Sequence, residues 1–204
     1  MNANVHTGVG IASATGVALL VPAMQCDTAI NYSLYLGCAV IGALLPDIDA
    51  NGESKAKKSF KSMMSCLIVF SCFTVIYGLH SGILDSMLSD LFSSTHGVGA
   101  LLFIVMCVIG YKTPHRTFTH WLIGLICFTF SFMLMADLKM ALWFGVGMLS
   151  HQLIDMLNKR KIQWLYPLPF DFARYVCKAS SKLSNAIGTV SYCLTFVFLS
   201  LLIR

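Results

Sequence analysis

The stretch Gly147-Met-Leu-Ser-His151-Gln-Leu-Ile-Asp155-Met-Leu157 decides how the rest of the chain is interpreted. It closes an apolar run that begins near Met140, and it places two ionisable side chains inside that run. At helical period His151 and Asp155 are four residues apart, so they lie on one face of a helix. An imidazole and a carboxylate in this relation can bind one metal ion, or one can orient the other. Either group alone would be costly in an apolar helix, so partners are expected elsewhere in the chain.

The composition indicates an integral membrane protein. The 204-residue chain is 57% hydrophobic and only 11% charged, and its mean hydropathy is +0.75. A soluble domain carries about a quarter of its residues as charged ones. Long apolar runs of helical length are typical of membrane spans. The eight cysteines are scattered without a C-x-x-C pair, which indicates small apolar residues and neither a disulfide frame nor a thiolate metal site.

Seven apolar runs predict an all-α, polytopic membrane protein of about six to seven helices. A full span needs about 20 residues, so the third, fifth, sixth and seventh runs are good candidates. The first two are short, and we expect them to tilt or to form a hairpin that enters the bilayer only in part. The runs cover roughly residues 9–24, 33–46, 60–79, 97–111, 118–136, 140–157 and 187–203.

The distribution of Lys and Arg predicts the orientation of these helices. Twelve of the fourteen follow the second, fourth or sixth run, and only Lys139 and Arg204 fall in the other connections. If the helices alternate in direction, the twelve share one side, which the positive-inside rule identifies as the cytoplasm. The N-terminus is therefore expected in the cytoplasm. Topology explains the net charge of +5 without a nucleic-acid partner.

We interpret residues 1–204 as a single membrane domain with three parts. Residues 1–157 form a motif-bearing helical core, 158–186 a cytoplasmic segment, and 187–204 a C-terminal transmembrane helix. The segment 158–186 mixes aromatic residues such as Trp164 and Tyr166 with cations, so we expect it to lie along the membrane interface. An ordinary aromatic belt explains this composition better than a specific site for lipid headgroups.

Four polar stretches fall at the predicted cytoplasmic end of the bundle. The topology depends on Lys and Arg, of which only Arg116 belongs to these stretches, so unrelated stretches would be scattered over both ends. Their convergence predicts one shared site. The stretches are His6, Leu44-Leu-Pro-Asp-Ile-Asp49, His115-Arg-Thr-Phe-Thr-His120, and Ser150 to Asp155.

The local geometry predicted for these stretches is compatible with a metal site. Pro46 biases Leu45 away from the helical region. In an extended backbone residues two apart point the same way, so Asp47 and Asp49 could both face one centre. Either carboxylate could instead cap a helix, or orient a ligand from outside the coordination sphere.

The two histidines of the third stretch need different positions to meet at one site. On one helix His115 and His120 would diverge by about 140°. We therefore place His115 in the turn after Pro114 and His120 in the first helical turn. His115 could also be an ordinary interfacial residue.

The donor atoms of the four stretches suit zinc, manganese or iron, as one ion or two, because they are imidazoles and carboxylates without a thiolate. Each residue also has a structural explanation: His6 can be solvated or capping, and His151 with Asp155 can be a buried structural pair. Jointly the functional interpretation prevails, since intramembrane ionisable residues are functional by default. The predicted ligands are His6, Asp47, Asp49, His115, His120, His151 and Asp155.

Depth in the membrane favours a lipidic substrate. His151 lies eight residues before Lys159, about 12 Å along a helix from the predicted cytoplasmic interface. A site there faces the headgroup or upper acyl region, where it could take a lipid with a phosphate or ester. Arg116, and with less support Arg160, could hold a phosphate. His80 and His96 flank the predicted external loop and are set aside as structural.

These motifs resemble a bacterial family of membrane-bound, metal-dependent hydrolases, the LexA-regulated, YdjM-like proteins of the inner membrane. The resemblance implies a helical membrane fold, a metal, and a location in the inner membrane. The chain departs from the family pattern at Thr117, at Trp121, at Ala50-Asn51 and at Asn158-Lys-Arg-Lys161, none of which is a predicted ligand. The resemblance rests on Leu44 to Asp49, His115 to His120, Leu149 to Asp155, Leu165-Tyr-Pro167 and an early histidine, His6.

The leading functional hypothesis is a metal-dependent hydrolase that cleaves a phosphoester of a lipid through metal-activated water. His115, as a ligand or general acid, Arg116, as a clamp on the transition state, and Asp49 are the predicted catalytic residues. One rival is a divalent-metal or proton-coupled transporter, although such sites tend to lie near the midplane between repeats. A second rival is a non-catalytic membrane adaptor that uses residues 158–186.

Overall fold

The computed structural model describes residues 2–26, 28–49, 95–158, 161–166, 168, 170, 176 and 181–203. Within them lie six α-helices, three short 3₁₀ helices and no strand, which confirms the all-α membrane fold. The third apolar run and most of the predicted external loop lie outside the described residues. The helices are α1 (Ala3–Leu20), α2 (Ala29–Leu44), α3 (Thr95–Lys112), α4 (Leu122–Met135), α5 (Leu138–Met156) and α6 (Lys182–Leu202).

Four of the described helices are long and apolar enough to cross a membrane. The expectation that the first two apolar runs form short helices is wrong. Helix α1 begins six residues before the apolar run, because Asn4, His6 and Thr7 are helical although they are polar. Helix α2 continues into a 3₁₀ helix, and together they give a span of 20 residues, Ala29–Ile48. The other two candidate spans are α3 and α6.

Helix α4 is shorter than the run that predicted it. It has 14 residues, because Phe118–His120 form a separate 3₁₀ helix and Trp121 is extended before α4 begins. The C-terminal helix differs in the opposite sense, since α6 begins at Lys182, five residues before its apolar run. The hydroxyl of Ser181 caps α6 by accepting a hydrogen bond from the backbone N–H of Ser184.

Helix α5 is the central element, with α1, α2 and α4 packed against it. Its crossing with α2 depends on two glycines. A Cβ atom on Gly147 would collide with the backbone oxygen of Ala39, and one on Gly42 would collide with that of Phe144. The two backbones therefore approach more closely than larger residues permit, as small residues allow between membrane helices.

Aromatic side chains fill the core between α3, α4 and α5. Phe132 and Phe144 stack with their ring centroids 4.6 Å apart. Phe103 presents its edge to both of these rings and to Phe128. Trp143 is fully buried on α5, and its indole N–H donates a hydrogen bond to the backbone oxygen of Met24.

The helix directions bring four chain segments to one end of the bundle, which we call the site end. They are the start of α1, the end of α2 with its 3₁₀ helix, the connection from α3 to α4, and the end of α5. Side-chain contacts join all four segments. The opposite end holds the connections from α1 to α2 and from α4 to α5. Which end faces the cytoplasm stays a prediction from the charges.

Candidate metal centre

Three buried side chains from α1 and α5 form the centre of the site. His6, His151 and Asp155 each place one ligand atom within 4.8 Å of the other two. None of the three is more than 2% exposed. The imidazoles of His6 and His151 stack at 3.8 Å between centroids, and Nε2 of His6 is 3.4 Å from Oδ1 of Asp155. His151 and Asp155 thus share one face of α5, as their spacing predicts.

Three of the four imidazole nitrogens of His6 and His151 have no hydrogen-bond partner. Nδ1 of His151 is 2.6 Å from the backbone oxygen of Ala43, and since a carbonyl only accepts, Nδ1 carries the proton. Nε2 of His151 then presents its lone pair to the cluster, where it has no hydrogen-bond partner. Both ring nitrogens of His6 also lack one. Because such buried nitrogens cost about 1–3 kcal/mol each, a cation bound among them fits the residues present.

Two polar side chains donate hydrogen bonds to the carboxylate of Asp155, and a third polar side chain lies near it. The guanidinium of Arg116 donates from Nη2 to Oδ2 at 2.6 Å. The amide of Asn158 donates from Nδ2 to Oδ1 at 3.0 Å. Nε2 of His120 lies 3.7 Å from Oδ2. Oδ1 is the oxygen on the side of His6 and faces the cluster, whereas Oδ2 binds the guanidinium of Arg116.

Arg116 reaches Asp155 from a turn with unusual backbone geometry. Its φ angle of 71° is in the left-handed region, which is costly for a residue with a Cβ atom. Non-glycine residues in this region often mark functional sites. The predicted clamp residue is therefore at the site, where its observed contact is with a carboxylate.

The 3₁₀ helix after α2 corrects one prediction. Leu45 is helical, with φ −58° and ψ −41°, and Leu45–Asp49 form a 3₁₀ helix, so the expected extended backbone is wrong. Pro46 has no N–H to continue the α-helical ladder, and the chain tightens into three-residue turns instead. Asp47 is buried, with Oδ1 3.9 Å from Nε2 of His151 and Oδ2 without a hydrogen-bond partner. The side chain of Asp49 lies outside the described residues.

The two histidines after α3 take different positions. His115 lies in the turn after Pro114, as expected, and is half-buried. His120 is fully buried at the end of a 3₁₀ helix, not in the first turn of α4. Its ring is 5.4 Å from that of His151 and 5.5 Å from that of His115. His120 therefore adjoins the cluster directly, and His115 lies one ring further out.

The other residues named from the sequence lie away from the cluster or outside the described residues. His96 is exposed at the start of α3, at the opposite end from the cluster. Arg160 and His80 lie outside the described residues. The structure describes five of the eight cysteines, and no disulfide joins any two of these five.

Sequence reasoning missed the polar residues that support the site. Asn158 binds Asp155, and Gln152 and Thr119 form hydrogen bonds behind His120. One signal was present for Gln152, since an amide inside an apolar helix needs buried partners as much as an imidazole does. Two of the partners of Gln152 are backbone oxygens, which a sequence pattern does not single out.

The family of the chain is identified by its sequence over its full length. A family model described as YdjM inner membrane protein matches residues 1–204. The chain belongs to the YdjM inner membrane protein family. This confirms the family resemblance of the motifs and, with the apolar helices, a membrane location. The YdjM description names no reaction. No curated protein and no solved structure matches the chain.

Proposed function

We propose that this YdjM-family protein is a metal-dependent hydrolase that cleaves a phosphoester of a lipid. The observation that carries the proposal is the convergence of His6, His151 and Asp155 on one buried point. Two imidazoles and one carboxylate are a known donor set of catalytic zinc, and they leave a coordination position for water or substrate. Zinc is the proposed metal, and manganese or iron accept the same donors.

The bound metal would supply Lewis-acid polarisation of a phosphoryl oxygen and activation of the attacking water. The side chains around it have separate tasks. Arg116 forms an ion pair with Asp155 of the cluster, and its guanidinium favours an anionic substrate group such as a phosphate. Oδ2 of Asp47, which has no hydrogen-bond partner, is placed to accept a proton from the attacking water.

The lipid class of the substrate is argued from where the cluster lies. It lies at one end of a bundle in which four of the described helices are long and apolar enough to cross a membrane. We place this end at the cytoplasmic leaflet, on the distribution of Lys and Arg along the chain. A molecule with an apolar tail and a phosphoester head reaches such a depth from within the bilayer, whereas a fully polar phosphoester does not.

The first test is metal content. Wild-type protein, His151→Ala and Asp155→Ala are purified in detergent and analysed for bound transition metals. His96→Ala is the matched control, because it removes an exposed imidazole at the opposite end. We expect bound metal in the wild type and the control, and at least a tenfold weaker affinity in the two site variants. Equal metal content in all four proteins contradicts the site.

The second test is turnover. The same four proteins are reconstituted in vesicles that contain phospholipid or isoprenoid phosphate, and the release of phosphate or headgroup is measured. Turnover that follows metal content across the four proteins supports the hydrolase. Metal flux across the vesicle membrane without turnover identifies a transporter, and the absence of both identifies a non-catalytic protein; either result overturns the proposal.

A further inference from the structure

A hydrogen-bond network joins α5 to the loop that carries His120. Gln152 is fully buried on α5. Its Nε2 donates to the backbone oxygens of Thr119, at 3.1 Å, and Trp121, at 3.4 Å. Its Oε1 accepts from the indole N–H of Trp164 at 2.8 Å. Two carbonyls on one side and one N–H on the other fix the amide in a single orientation.

The side chain of Thr119 contacts the imidazole of the next residue, His120. Its hydroxyl donates to the backbone oxygen of Pro46 at 3.1 Å and lies 3.0 Å from Nδ1 of His120. Because the single hydroxyl proton goes to Pro46, the second contact has Nδ1–H of His120 as its donor. Nε2 of His120 then carries a lone pair, and it lies 3.7 Å from a carboxylate oxygen of Asp155. A lone pair beside a carboxylate is the arrangement that a cation stabilises.

The partner of Gln152 belongs to a segment that closes over this loop. The backbone oxygen of Trp164 accepts from the N–H of Leu122 at 2.8 Å, at the start of α4. The rings of Tyr166 and Trp121 stack with centroids 4.0 Å apart. Trp164 and Tyr166, first interpreted as part of an interfacial aromatic belt, are thus bound to the loop that carries His120.

We propose that Gln152, held by Trp164, is a positioning residue: it fixes the backbone of Thr119 and Trp121, and thereby the Thr119 hydroxyl that sets the tautomer and orientation of His120 at the metal centre. The inference rests on the proposed function. It assigns Trp164 a part in the site, although its sequence position is in the segment after the helical core. The physical reason is that metal-binding imidazoles depend on the hydrogen bond of their second nitrogen, and loss of such outer contacts costs about 10–100-fold in affinity or activity.

The test compares variants that remove one hydrogen-bonding group each. Gln152→Met keeps the length of the side chain without its amide, and Trp164→Phe keeps an aromatic ring without its N–H. Trp143→Phe is the matched control, because it also loses a buried indole hydrogen bond, to Met24. Affinity for Co²⁺ and the visible absorption spectrum of the Co²⁺ protein are measured together with thermal stability.

We expect about tenfold weaker Co²⁺ binding and an altered spectrum in Gln152→Met, a smaller change in the same direction in Trp164→Phe, and no change in Trp143→Phe. In a His120→Ala background, Gln152→Met should have no further effect, because residues that act through one another are not additive. A purely structural role would give additive losses.

The outcomes separate this inference from the proposed function. A wild type without affinity for Co²⁺ or Zn²⁺ overturns the proposed function. A wild type that binds metal, with folded Gln152→Met and Trp164→Phe proteins of unchanged affinity and spectrum, overturns only the role of Gln152. If Gln152→Met does not fold, Trp164→Phe decides between the two results.

Discussion

The two ends of α5 carry similar polar residues in different surroundings. At the opposite end, the exposed Asp137 caps the helix by accepting a hydrogen bond from the backbone N–H of Met140 at 2.7 Å. Lys139 donates to the backbone oxygen of Gln25, also at 2.7 Å and exposed to solvent. At the site end, His151 and Asp155 are buried within the helix, and their partners come from other elements.

The two ends differ in whether their polar side chains complete hydrogen bonds of the backbone. The polar groups at the opposite end complete backbone hydrogen bonds where helices begin or loops turn. The site end holds more polar side chains than are needed to complete backbone hydrogen bonds. Nitrogens of His6 and His151 are buried there without a hydrogen-bond partner. The metal of the proposed function would offset the cost of burying these nitrogens.

The same substitution of Asp by Asn at each end of α5 should have very different effects. Asp155→Asn should lower turnover at least about a thousandfold, through the loss of a metal ligand and of the ion pair with Arg116. Asp137→Asn should leave turnover and stability close to wild type, because Asn caps a helix as well as Asp does. Kinetics and melting of both variants are the measurement. Similar activities would remove the distinction between the two ends.

A second pair of variants tests the helix crossing between the ends. Gly147→Ala should destabilise the protein by about 1–3 kcal/mol, since the new methyl group collides with the backbone of α2. Gly37→Ala is the control on α2, with open space around its Cβ position. It should be neutral or slightly stabilising. Thermal unfolding in detergent compares the two, and equal melting temperatures would show that the close crossing is not needed.

A third pair separates charge from backbone strain at the site end. Arg116→Gly and Arg116→Ala both lose the hydrogen bond to Asp155, so both should lose about tenfold to a hundredfold in activity. Glycine adopts a φ of 71° without penalty, whereas alanine does not. The glycine variant should therefore be more stable than the alanine variant by about 1 kcal/mol. Stability in the reverse order would contradict the strained turn.

The smallest effect is expected at the opposite end of α5. Trp143→Phe loses the hydrogen bond to the backbone oxygen of Met24 and should cost about 1 kcal/mol of stability. Metal affinity and turnover should remain at wild-type values. A loss of metal in this variant would mean that the two ends are coupled through the core.

Much of the fold follows from local properties of the sequence. Apolar runs separated by charged connections predict the helices, since apolar length sets what can span a bilayer. The ends of the helices are predicted less well. Polar His6 in α1 and Pro46 after α2 both point to non-helical backbone, yet packing against α5 and α6 keeps these segments helical.

Part of the candidate site also follows from local sequence, and the rest depends on packing. The pair His151 and Asp155 follows from helical spacing alone, because residues four apart share a face in any helix. His6, Asp47 and Arg116 were predicted only as members of a group at one end of the bundle. Their distances to this pair depend on how the helices pack.

The sequence by itself determined the residue types, their helical phase and their common end of the bundle. These depend on bond geometry and hydrophobicity, which act over a few residues. Tertiary structure decided which nitrogens present lone pairs, which oxygen of Asp155 meets Arg116, and that Gln152 stands behind His120. Those properties depend on backbone carbonyls from distant segments, which become neighbours only when α2, α4 and α5 pack together.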